Sequence, residues 1–463
     1  MATDPESLFR QACRQMREGR LEDAKNGLLG LLKQEPDHFG ALNNLGAVLH
    51  DLGYRSAART AYARAAARHP DNPVGHVNLA NALRADGDLA SAMHHCEIGL
   101  RLSPDHAGAH QAMAGILFDM GETRKAARHR DIGFKNHEAV TLPFRGDGKP
   151  VRLLMMVSAI GGNVPIRQLI DDKVFETTVV YADYWKRPLP PHDIVLNTIG
   201  DADLCMDAMR EAAKLVSKTR APVINPPRAT MPTGRAENAK RLAHIPCVRT
   251  ARTVLMARGD LCGEAGPDAV AAEGLRFPLL LRSPGFHTGQ NFEFVDAPQN
   301  LTAAAARLPG DRLLAMDYLD ARGPDGMARK YRVMFVNGEI LPLHLAISHD
   351  WKVHYFSAAM AERDVYRAEE ERFLNNMPEA IGARAMAALT AIRDTLGLDY
   401  AGIDFGLDKD GALLLFETNA TMVIVPPGPD PRWDYRRAAI ARVENAARAM
   451  LVQRASSRTL RAA

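Results

Sequence analysis

Three side chains with oxygen donors stand close together in the stretch YAGIDFGLDKDGALLLFETNATM (400–422). Asp404 lies in an apolar run of strand length, and DKDG (408–411) is typical of a hairpin turn. The run LLLFETN predicts the returning strand, on which Glu417 and Asn419 share one face because side chains alternate along a strand. Two carboxylates and one amide oxygen suit a hard divalent cation, and we expect Mg²⁺, or Mn²⁺ in its place, completed by water and phosphate oxygens.

Cationic side chains stand upstream of the hairpin, in segments that also predict strands. Lys330 and Arg332 alternate onto one face of the run RKYRVMFV, and Arg282 ends the apolar run FPLLLR. Arginine binds phosphate through a planar fork and lysine as a point charge, so both suit a site where negative charge moves. Each residue also has an ordinary interpretation as a surface cation, but their order and strand context favour one site shared with the hairpin.

The hairpin resembles the metal-binding signature of the ATP-grasp superfamily of carboxylate–amine ligases, similar to its glutathione synthetase and RimK-like group. In that signature an acid on one strand and an ExN pair on the next hold Mg-ATP, which implies Asp404, Glu417 and Asn419 as metal ligands. The resemblance covers about residues 225–455 and implies an ATP-grasp domain of α+β fold. The implied reaction transfers the γ-phosphate of ATP to a carboxylate, and an amine then displaces phosphate from the acyl phosphate.

Further segments follow in the order that the resemblance requires. FPLLLRSPGFHTGQNFEFV resembles the strand, glycine loop and strand that close over the phosphates, with Gly285 and Gly289 in the loop. The family commonly has lysine where this chain has Arg282, which is a departure from the pattern. The resemblance implies that Arg332 binds the transferred phosphate, that Lys330 assists, and that Arg282 contacts both the nucleotide and the moving charge.

The segment LLAMDYLDARG (313–323) resembles the strand that borders the adenine ring. The resemblance implies the backbone of Tyr318 and Leu319 at the ring edge, and either Asp317 or Asp320 at the ribose. The run RKYRVMFVNGEILPLHLAIS follows, and its Asn-Gly dipeptide predicts a β-hairpin turn between two strands.

Histidines and a tryptophan cluster in the segment HLAISHDWKVHY (344–355). A transition-metal site is poorly supported there, because no thiol or acid signature accompanies the histidines. Two interpretations stay open: the cluster lines the substrate or nucleotide pocket, or it packs the sheet. On the first interpretation, His349 and His354 are the residues that contact substrate.

The elements that precede these residues begin with a repeat. Three residue types recur at a step of 34 residues, in the columns Pro36, Pro70 and Pro104; Gly19, Gly53, Gly87 and Gly121; and Ala24, Ala58, Ala92 and Ala126. The glycine ends one helix, the alanine marks a close helix contact, and the proline stops the second helix. The pattern resembles the tetratricopeptide repeat (TPR), which forms an all-α solenoid, in the four units 7–38, 39–72, 73–106 and 107–138.

One face of the first helices in these units carries polar side chains. They are Asn43, Asn81, Arg84 and Gln111. In a TPR solenoid the first helices line a concave groove, so the resemblance implies that these residues hydrogen-bond an extended peptide or protein segment. The alternative interpretation is that they are solvated surface residues and that the repeat mediates only dimerisation.

Between the repeat and the ATP-grasp-like region, apolar strand-like runs alternate with helical stretches, a pattern typical of a parallel sheet with crossover connections. We therefore predict a multidomain chain with an all-α solenoid, an α/β domain and an α+β domain. The predicted segments are a TPR domain (1–138), a linker (139–150), an α/β pre-ATP-grasp domain (151–224), an ATP-grasp domain (225–455) and a disordered tail (456–463).

Bulk composition excludes several classes of protein. The 463 residues are 46% hydrophobic and 24% charged, with a net charge of +3 and five dispersed cysteines. This balance is typical of a globular protein and offers neither a basic stripe for nucleic acid nor a CxxC framework for zinc or disulfides. Because no apolar run approaches the roughly 20 residues needed to span a bilayer and the polar N-terminus does not resemble a secretory signal, we expect a soluble, cytoplasmic protein without membrane contact.

The fusion itself suggests a class of substrate. A solenoid beside a ligase raises the effective concentration of a weakly bound chain. We therefore expect the carboxylate or the amine to belong to a peptide or protein, with small carboxylates and amines as the other possibility. ATP and Mg²⁺ are the expected co-substrate and metal, and a homodimer is open. The rival functions are an ATP-grasp kinase and a non-catalytic, nucleotide-binding TPR scaffold.

Overall fold

The computed structural model describes residues 4–166, 169–284, 291–353, 358–428 and 430–459. The chain divides into two compact units, Met1–Glu138 and Ala139–Ala463. Within the described ranges, no helix is both long enough and apolar enough to cross a membrane.

The described residues of the first unit form eight helices that pack in consecutive pairs. They are α1 (Pro5–Arg17), α2 (Leu21–Gln34), α3 (Phe39–Asp51), α4 (Arg55–Arg68), α5 (Pro73–Ala85), α6 (Leu89–Leu102), α7 (Ala107–Asp119) and α8 (Thr123–Phe134). A glycine with positive φ follows the first helix of each pair: Gly19 (75°), Gly53 (85°), Gly87 (84°) and Gly121 (82°). Because glycine adopts this left-handed conformation without steric cost, the glycine column ends each first helix and turns the chain, as predicted.

The other two columns of the repeat also have the predicted structural effect. The four alanines are almost fully buried, since Ala24, Ala58, Ala92 and Ala126 are at most 1% exposed. Each proline stands two residues beyond the end of a second helix, where its missing N–H costs no helical hydrogen bond. The first unit is therefore a helical-repeat solenoid.

The second unit contains both strands and helices. Among the described residues the strands are β1 (Ala139–Thr141), β2 (Val151–Val157), β3 (Phe175–Tyr181), β4 (Ile194–Asn197), β5 (Val223–Ile224), β6 (Val248–Thr250), β7 (Thr253–Ala257), β8 (Leu279–Arg282), β9 (Phe292–Val295), β10 (Arg312–Asp317), β11 (Ala328–Val336), β12 (Glu339–Ser348), β13 (Tyr400–Leu407) and β14 (Leu413–Asn419). The helices are α9 (Met206–Val216), α10 (Pro227–Thr230), α11 (Arg235–Leu242), α12 (Arg258–Leu261), α13 (Gly266–Ala272), α14 (Leu301–Arg307), α15 (Asp364–Asn375), α16 (Met377–Leu396) and α17 (Asp434–Thr459), with short 3₁₀ turns at Met231–Thr233, Pro298–Asn300 and Pro431–Trp433.

The strands of this unit, as far as they are described, form three sheets. The first has the order β1-β3-β2-β4-β5, in which β2 to β5 are parallel and β1 is an antiparallel edge strand. The second is the antiparallel sheet β7-β10-β8-β9, and the third has the order β12-β11-β13-β14-β6. A solenoid followed by mixed α/β sheets confirms the coarse fold prediction, while the assignment to the ATP-grasp fold stays a prediction.

The third sheet lies in the largest apolar core of the unit. Its central strands β11 and β13 supply fully buried side chains such as Phe335 and Phe405, and α16 and α17 contribute Leu389 and Val443 to the same cluster. The turn between β11 and β12 has positive φ at Asn337 (49°) and at the following glycine, as the Asn-Gly dipeptide predicted. This core is the rigid support on which the polar residues of β11, β13 and β14 are carried.

Two sequence-based expectations differ from the structure. Residues 139–141, assigned to the linker, form the edge strand β1, because short extended segments gain their hydrogen bonds from a distant strand rather than from their own sequence. Helix α17 runs to Thr459, so residues 456–459 are helical rather than a disordered tail. On the same helix, Arg436 is 3% exposed and forms an ion pair with the buried Glu370.

Candidate functional site

The hairpin of β13 and β14 places the two predicted carboxylates side by side. Asp404 is paired directly with Glu417 across the antiparallel strands, and the register shifts just after Asp404. Side chains of directly opposed residues in such a pair lie about 5 Å apart at Cβ. Asn419, two residues further on β14, donates from Nδ2 to Oε1 of Glu417 over 2.8 Å. The structure thus brings the three predicted metal ligands into one cluster.

Asp404 is surrounded by the two predicted cations of β11. Arg332 faces it in register and binds it through a fork, Nε to Oδ1 over 2.6 Å and Nη2 to Oδ2 over 2.8 Å. Lys330 Nζ lies 3.2 Å from Oδ2. Burial of Asp404 opposes ionisation, but the charges of Arg332 and Lys330 outweigh it and hold the pKa of this carboxyl well below its usual range.

Glu417 has a cationic partner that the sequence analysis did not identify. Arg235, the first residue of α11, donates from Nη2 to Oε1 of Glu417 over 2.6 Å. Its side chain is only 10% exposed. Burial disfavours the charge of Arg235, yet the carboxylates of Glu417, Asp201 and Asp203 outweigh this and raise its pKa. The Gly-Arg dipeptide at the start of a helix was the available signal, but 182 residues separate Arg235 from Glu417.

Arg282 ends β8 and is 7% exposed, which is unusual for an arginine. Its guanidinium carbon lies 5.5 Å from the centre of the Phe292 ring. Burial, together with the charge of Arg235, lowers the pKa of Arg282 to about 10. Two guanidinium groups from different elements therefore lie near enough to repel each other beside Glu417, an arrangement that favours an incoming anion.

A cavity of about 200 Å³ lies between the second and third sheets and is lined by Asp404 and Glu417, whereas Asn419 does not belong to its described lining. Its described charged lining comprises five cations, Arg235, Arg282, Lys330, Arg332 and Lys352, and three carboxylates, Asp317, Asp404 and Glu417. The lining therefore carries two positive charges in excess. A cavity of this kind is electrostatically complementary to a ligand with several negative charges, such as a polyphosphate.

One wall of the cavity is aromatic. Trp351 lines it and stacks on Phe294 with ring centres 5.4 Å apart and an interplanar angle of 28°. Phe292 also lines the cavity and meets Trp351 edge to face at 5.3 Å. Flat apolar side chains of this kind provide a stacking surface for a heterocyclic ring. Of the histidine and tryptophan cluster, Trp351 is thus a cavity residue.

The histidines of that cluster are distributed differently. His344 is 5% exposed and lies opposite Arg332 in the neighbouring strand, and burial lowers its pKa well below the usual range. His349 is exposed and does not belong to the described lining of the cavity. His354 lies outside the described residues. The packing interpretation therefore fits His344, and the predicted substrate contacts of His349 and His354 stay predictions.

The segments predicted to bind nucleotide lie around the same cavity. Asp317, Tyr318 and Leu319 line it at the end of β10. Asp320, the alternative ribose residue, instead accepts hydrogen bonds from Arg322. The loop residues Gly285 and Gly289 lie outside the described residues.

The donor set fits a magnesium ion. Mg²⁺ is commonly bound by one or two carboxylates and completed by water and phosphate oxygens, which is what Asp404 and Glu417 offer. Asn419 Oδ1 accepts from the backbone N and the hydroxyl of Thr421, both over 2.9 Å, so as a ligand it would give up one of these bonds. Among the residues that the structure describes, no group of three or more His, Cys, Asp or Glu side chains is arranged for a metal.

The polar residues predicted for the groove of the first unit are only partly brought together. Asn81 and Gln111 line a cavity of about 300 Å³, together with Asn78 and His106, which the sequence analysis did not identify. Asn43 accepts a hydrogen bond from Asn78 over 2.6 Å. Arg84 instead forms an ion pair with Asp119 between neighbouring repeats, Nε to Oδ2 over 2.6 Å.

Comparison with known proteins bears on the first unit. No protein-family model matches the chain. The chain is similar to the TPR repeat-containing thioredoxin TTL4 of Arabidopsis thaliana, with 37% identity over 84 residues that make up 18% of this chain and 12% of that protein. It is also similar to the inactive TPR repeat-containing thioredoxin TTL3 of the same plant, with 33% identity over 88 residues, 19% of this chain and 13% of that protein. The chain thus spans about an eighth of the length of these relatives.

Among solved structures, the chain is similar to those of MamA proteins. A double mutant of MamA from strain RS-1 is 22% identical, with a TM-score of 0.27 and coverage of 29% of this chain and 75% of that chain. MamA from Desulfovibrio magneticus RS-1 is 24% identical, with a TM-score of 0.26 and coverage of 27% and 71%. The helix pairs, their 34-residue step and the TPR relatives together identify the first unit as a TPR domain.

Proposed function

We propose that this chain is a Mg-ATP-dependent ligase that activates a substrate carboxylate as an acyl phosphate for attack by an amine. The observation that supports this best is the cavity in which Asp404 and Glu417 face each other among five cations. Paired carboxylates suit the metal, and the excess of positive charge suits the phosphates. The adjacent aromatic wall suits the base of a nucleotide.

The cations of the site can exchange a carboxylate partner for phosphate oxygens. Arg332 and Lys330 both form ion pairs with the single carboxylate of Asp404. With Asp404 as a metal ligand, Arg332 and Lys330 would be available to phosphate oxygens, which would offset their buried charge. Asp404 and Glu417 would hold Mg²⁺, which supplies charge stabilisation for phosphoryl transfer when bound. Arg332, with its planar fork, suits the phosphoryl group that is transferred to the carboxylate.

Arg282 would act on the same charge from the opposite sheet. Its pKa of about 10 shows that burial beside Arg235 disfavours the guanidinium charge, and an anion in the cavity would relieve this. The site therefore gains electrostatic stabilisation as negative charge enters it. A reacting amine needs no special base, provided that it reaches the acyl phosphate in its neutral form.

The TPR domain suggests that one substrate is a peptide or protein. The groove of the first unit offers side-chain amides at Asn78, Asn81 and Gln111, which can donate to and accept from a peptide backbone. A chain bound there would be supplied to the ligase at a raised effective concentration. Capture of substrate by the inactive Glu417→Gln protein tests this part, and recovery of small metabolites without any polypeptide would contradict it.

The deciding experiment measures release of ADP and phosphate from Mg-ATP across amino acids, peptides and cell-extract fractions. Glu417→Gln is compared with the wild type and with Glu264→Gln, which makes the same change at an exposed position. Stimulated release of both products, lost in Glu417→Gln and kept in the control, is the result expected of a ligase. ADP with a stable phosphorylated product and no free phosphate would identify a kinase, and nucleotide binding without turnover would identify a scaffold.

A further inference from the structure

A loop that follows the parallel sheet contacts the region around the hairpin of β13 and β14. Residues 200–203 follow β4, at the carboxyl end of the parallel strands. Open parallel sheets bind their ligands at this end. The loop contacts the hairpin region at two points, and those points lie on either side of Glu417 and Asn419.

The first contact passes through Arg235. Asp203 accepts the backbone N–H of Arg235 on Oδ2 over 3.0 Å, and the Arg235 guanidinium lies 3.5 Å from the same oxygen. The other amino group of Arg235 donates to Oε1 of Glu417 over 2.6 Å. Gly234 fits beneath Asp203, since a Cβ there would lie 2.5 Å from Asp203 Oδ1. Arg235 is therefore fixed by its backbone and its side chain before it reaches Glu417.

The second contact passes through Thr421. A Cβ on Gly200 would lie 2.6 Å from Cγ2 of Thr421, so loop and hairpin are in direct contact there. Thr421 donates twice to the oxygen of Asn419, and Asn419 donates to the same Oε1 of Glu417 that Arg235 binds. The loop thus supports Glu417 from both directions through a closed ring of contacts.

Both donors act on one oxygen of the carboxylate. Arg235 and Asn419 reach Oε1 over 2.6 and 2.8 Å, which fixes the rotation of the Glu417 side chain. A carboxylate restrained at one oxygen presents the other in a defined direction, as residues behind a metal ligand commonly ensure. Neighbouring Asn238 adds to this by donating to the backbone oxygen of Thr418 over 2.8 Å, which attaches α11 to β14.

We propose that Arg235, fixed by Asp203, is a positioning residue that orients the Glu417 carboxylate toward the divalent cation. The proposal rests on the function proposed above, because it takes Glu417 as a metal ligand. It assigns to the loop 200–203 a link between the parallel sheet and the metal site. A ligand at the carboxyl end of that sheet would then be coupled to metal binding through Asp203 and Arg235.

The test measures Mn²⁺ binding by electron paramagnetic resonance, with the full chain and a saturating non-hydrolysable ATP analogue. Arg235→Gln should weaken Mn²⁺ binding about 10- to 100-fold, the range seen when the partner of a metal ligand is removed. Arg235→Lys should restore part of it, and Asp203→Asn should weaken it several-fold while Arg235 stays in place. Lys240→Gln, exposed on the same helix, is the matched control for loss of one positive charge.

The outcomes separate this role from its rivals. Equal Mn²⁺ affinity in Arg235→Gln and Lys240→Gln, with both proteins folded by tryptophan fluorescence, would overturn the proposal. So would a loss of analogue affinity measured without metal, accompanied by unchanged Mn²⁺ affinity, because Arg235 would then act on phosphate directly. A wild type that binds no Mn²⁺ with the analogue overturns both proposals. If the variants change Mn²⁺ affinity as expected but the wild type turns over no substrate, only the proposed ligase function is contradicted.

Discussion

An ion pair of the TPR domain and an ion pair in the cavity of the second unit differ in how far they are exposed to solvent. In the TPR domain, Arg84 and Asp119 form an ion pair whose side chains are 36% and 31% exposed. In the cavity, the side chains of Arg332 and Asp404 are 19% and 6% exposed, and further cations surround them. Exposed pairs contribute little to stability, whereas buried pairs carry a large desolvation cost that only their partners offset.

The difference shows where each region obtains its stability. The repeat is stabilised by a buried alanine column that recurs in each unit and by other buried apolar side chains such as Leu28, Leu45 and Leu79, so its exposed ion pairs contribute little. The cavity concentrates buried charge that a hydrophobic core would not need, and such local conflicts with folding are expected at functional sites. Four substitution experiments test this contrast.

The largest effect is expected from Arg332→Met, compared with Arg84→Met. Removing Arg332 leaves the buried carboxylate of Asp404 without its fork and should cost about 3–5 kcal/mol of unfolding free energy. Removing Arg84 should cost about 1 kcal/mol or less, because Asp119 can be solvated. Urea unfolding followed by tryptophan fluorescence reports on the second unit, since Trp185, Trp351 and Trp433 all belong to it.

Far-UV circular dichroism follows the helices of both units in the same titrations, so the part of its transition that tryptophan fluorescence does not show reports on the TPR domain. Similar losses for Arg332→Met and Arg84→Met would contradict the contrast between buried and exposed pairs. A double variant in which Asp404 is also replaced by Leu should recover much of the loss from Arg332→Met, because no buried charge then remains uncompensated.

The next largest effect is expected from Arg282→Met, which should stabilise the folded protein rather than destabilise it. Because burial and Arg235 lower the pKa of Arg282 to about 10, its charge is unfavourable in the folded protein without ligand. Replacing it should raise the melting temperature by a few degrees and weaken ATP binding at least about 10-fold. Differential scanning fluorimetry with and without Mg-ATP measures both. A lower melting temperature together with unchanged ATP affinity would assign Arg282 a purely structural role.

A pH dependence should mark the TPR domain. Burial, and next the neighbouring His76 and His110, lower the pKa of His95 and His129, whose Nδ1 atoms lie 3.1 and 2.9 Å from those of their partners. The unfolded chain therefore binds more protons, so stability is fully present above about pH 6.5 and falls as the pH drops below it. Urea midpoints from circular dichroism between pH 7.5 and 5.5 should show this slope.

The variant His95→Gln/His129→Gln tests the origin of that slope. It should flatten the decline by at most about 1.4 kcal/mol per pH unit for each proton involved. A slope that persists unchanged in this variant would place its cause outside the two histidine pairs.

The smallest effects concern two glycines of the TPR domain with open space around them. Gly87 has φ of +84° and Gly30 lies within α2, and a Cβ at either position meets no atom within 4 Å. Gly87→Ala should cost about 1 kcal/mol through its left-handed backbone, whereas Gly30→Ala should gain up to about 1 kcal/mol of helix propensity. Circular dichroism during urea unfolding measures the change in unfolding free energy for each variant. Changes of the same sign in the two variants would show that backbone conformation does not decide the outcome.

The sequence itself determined the features that depend on local periodicity. The 34-residue step predicted the helix pairs, the glycine that ends each first helix and the alanine at each close helix contact, because each follows from chain geometry within one repeat. The alternation along a strand and the DKDG turn likewise predicted the hairpin, but the register shift just after Asp404 is what brings Glu417, rather than Phe416, opposite it. The metal, nucleotide and ligase assignments built on this hairpin stay predictions.

Contacts between charged residues that are distant in sequence are seen only in the tertiary structure. Arg235 reaches Glu417 across 182 residues of sequence, Arg436 is buried against Glu370, and residues 139–141 become a strand by pairing with β3. Trp351 joins the cavity through its contacts with the aromatic rings of β9. No local period encodes these contacts, because they depend on how complete sheets and helices pack. Because a buried charge is costly without a compensating partner, burial restricts which groups can lie beside it.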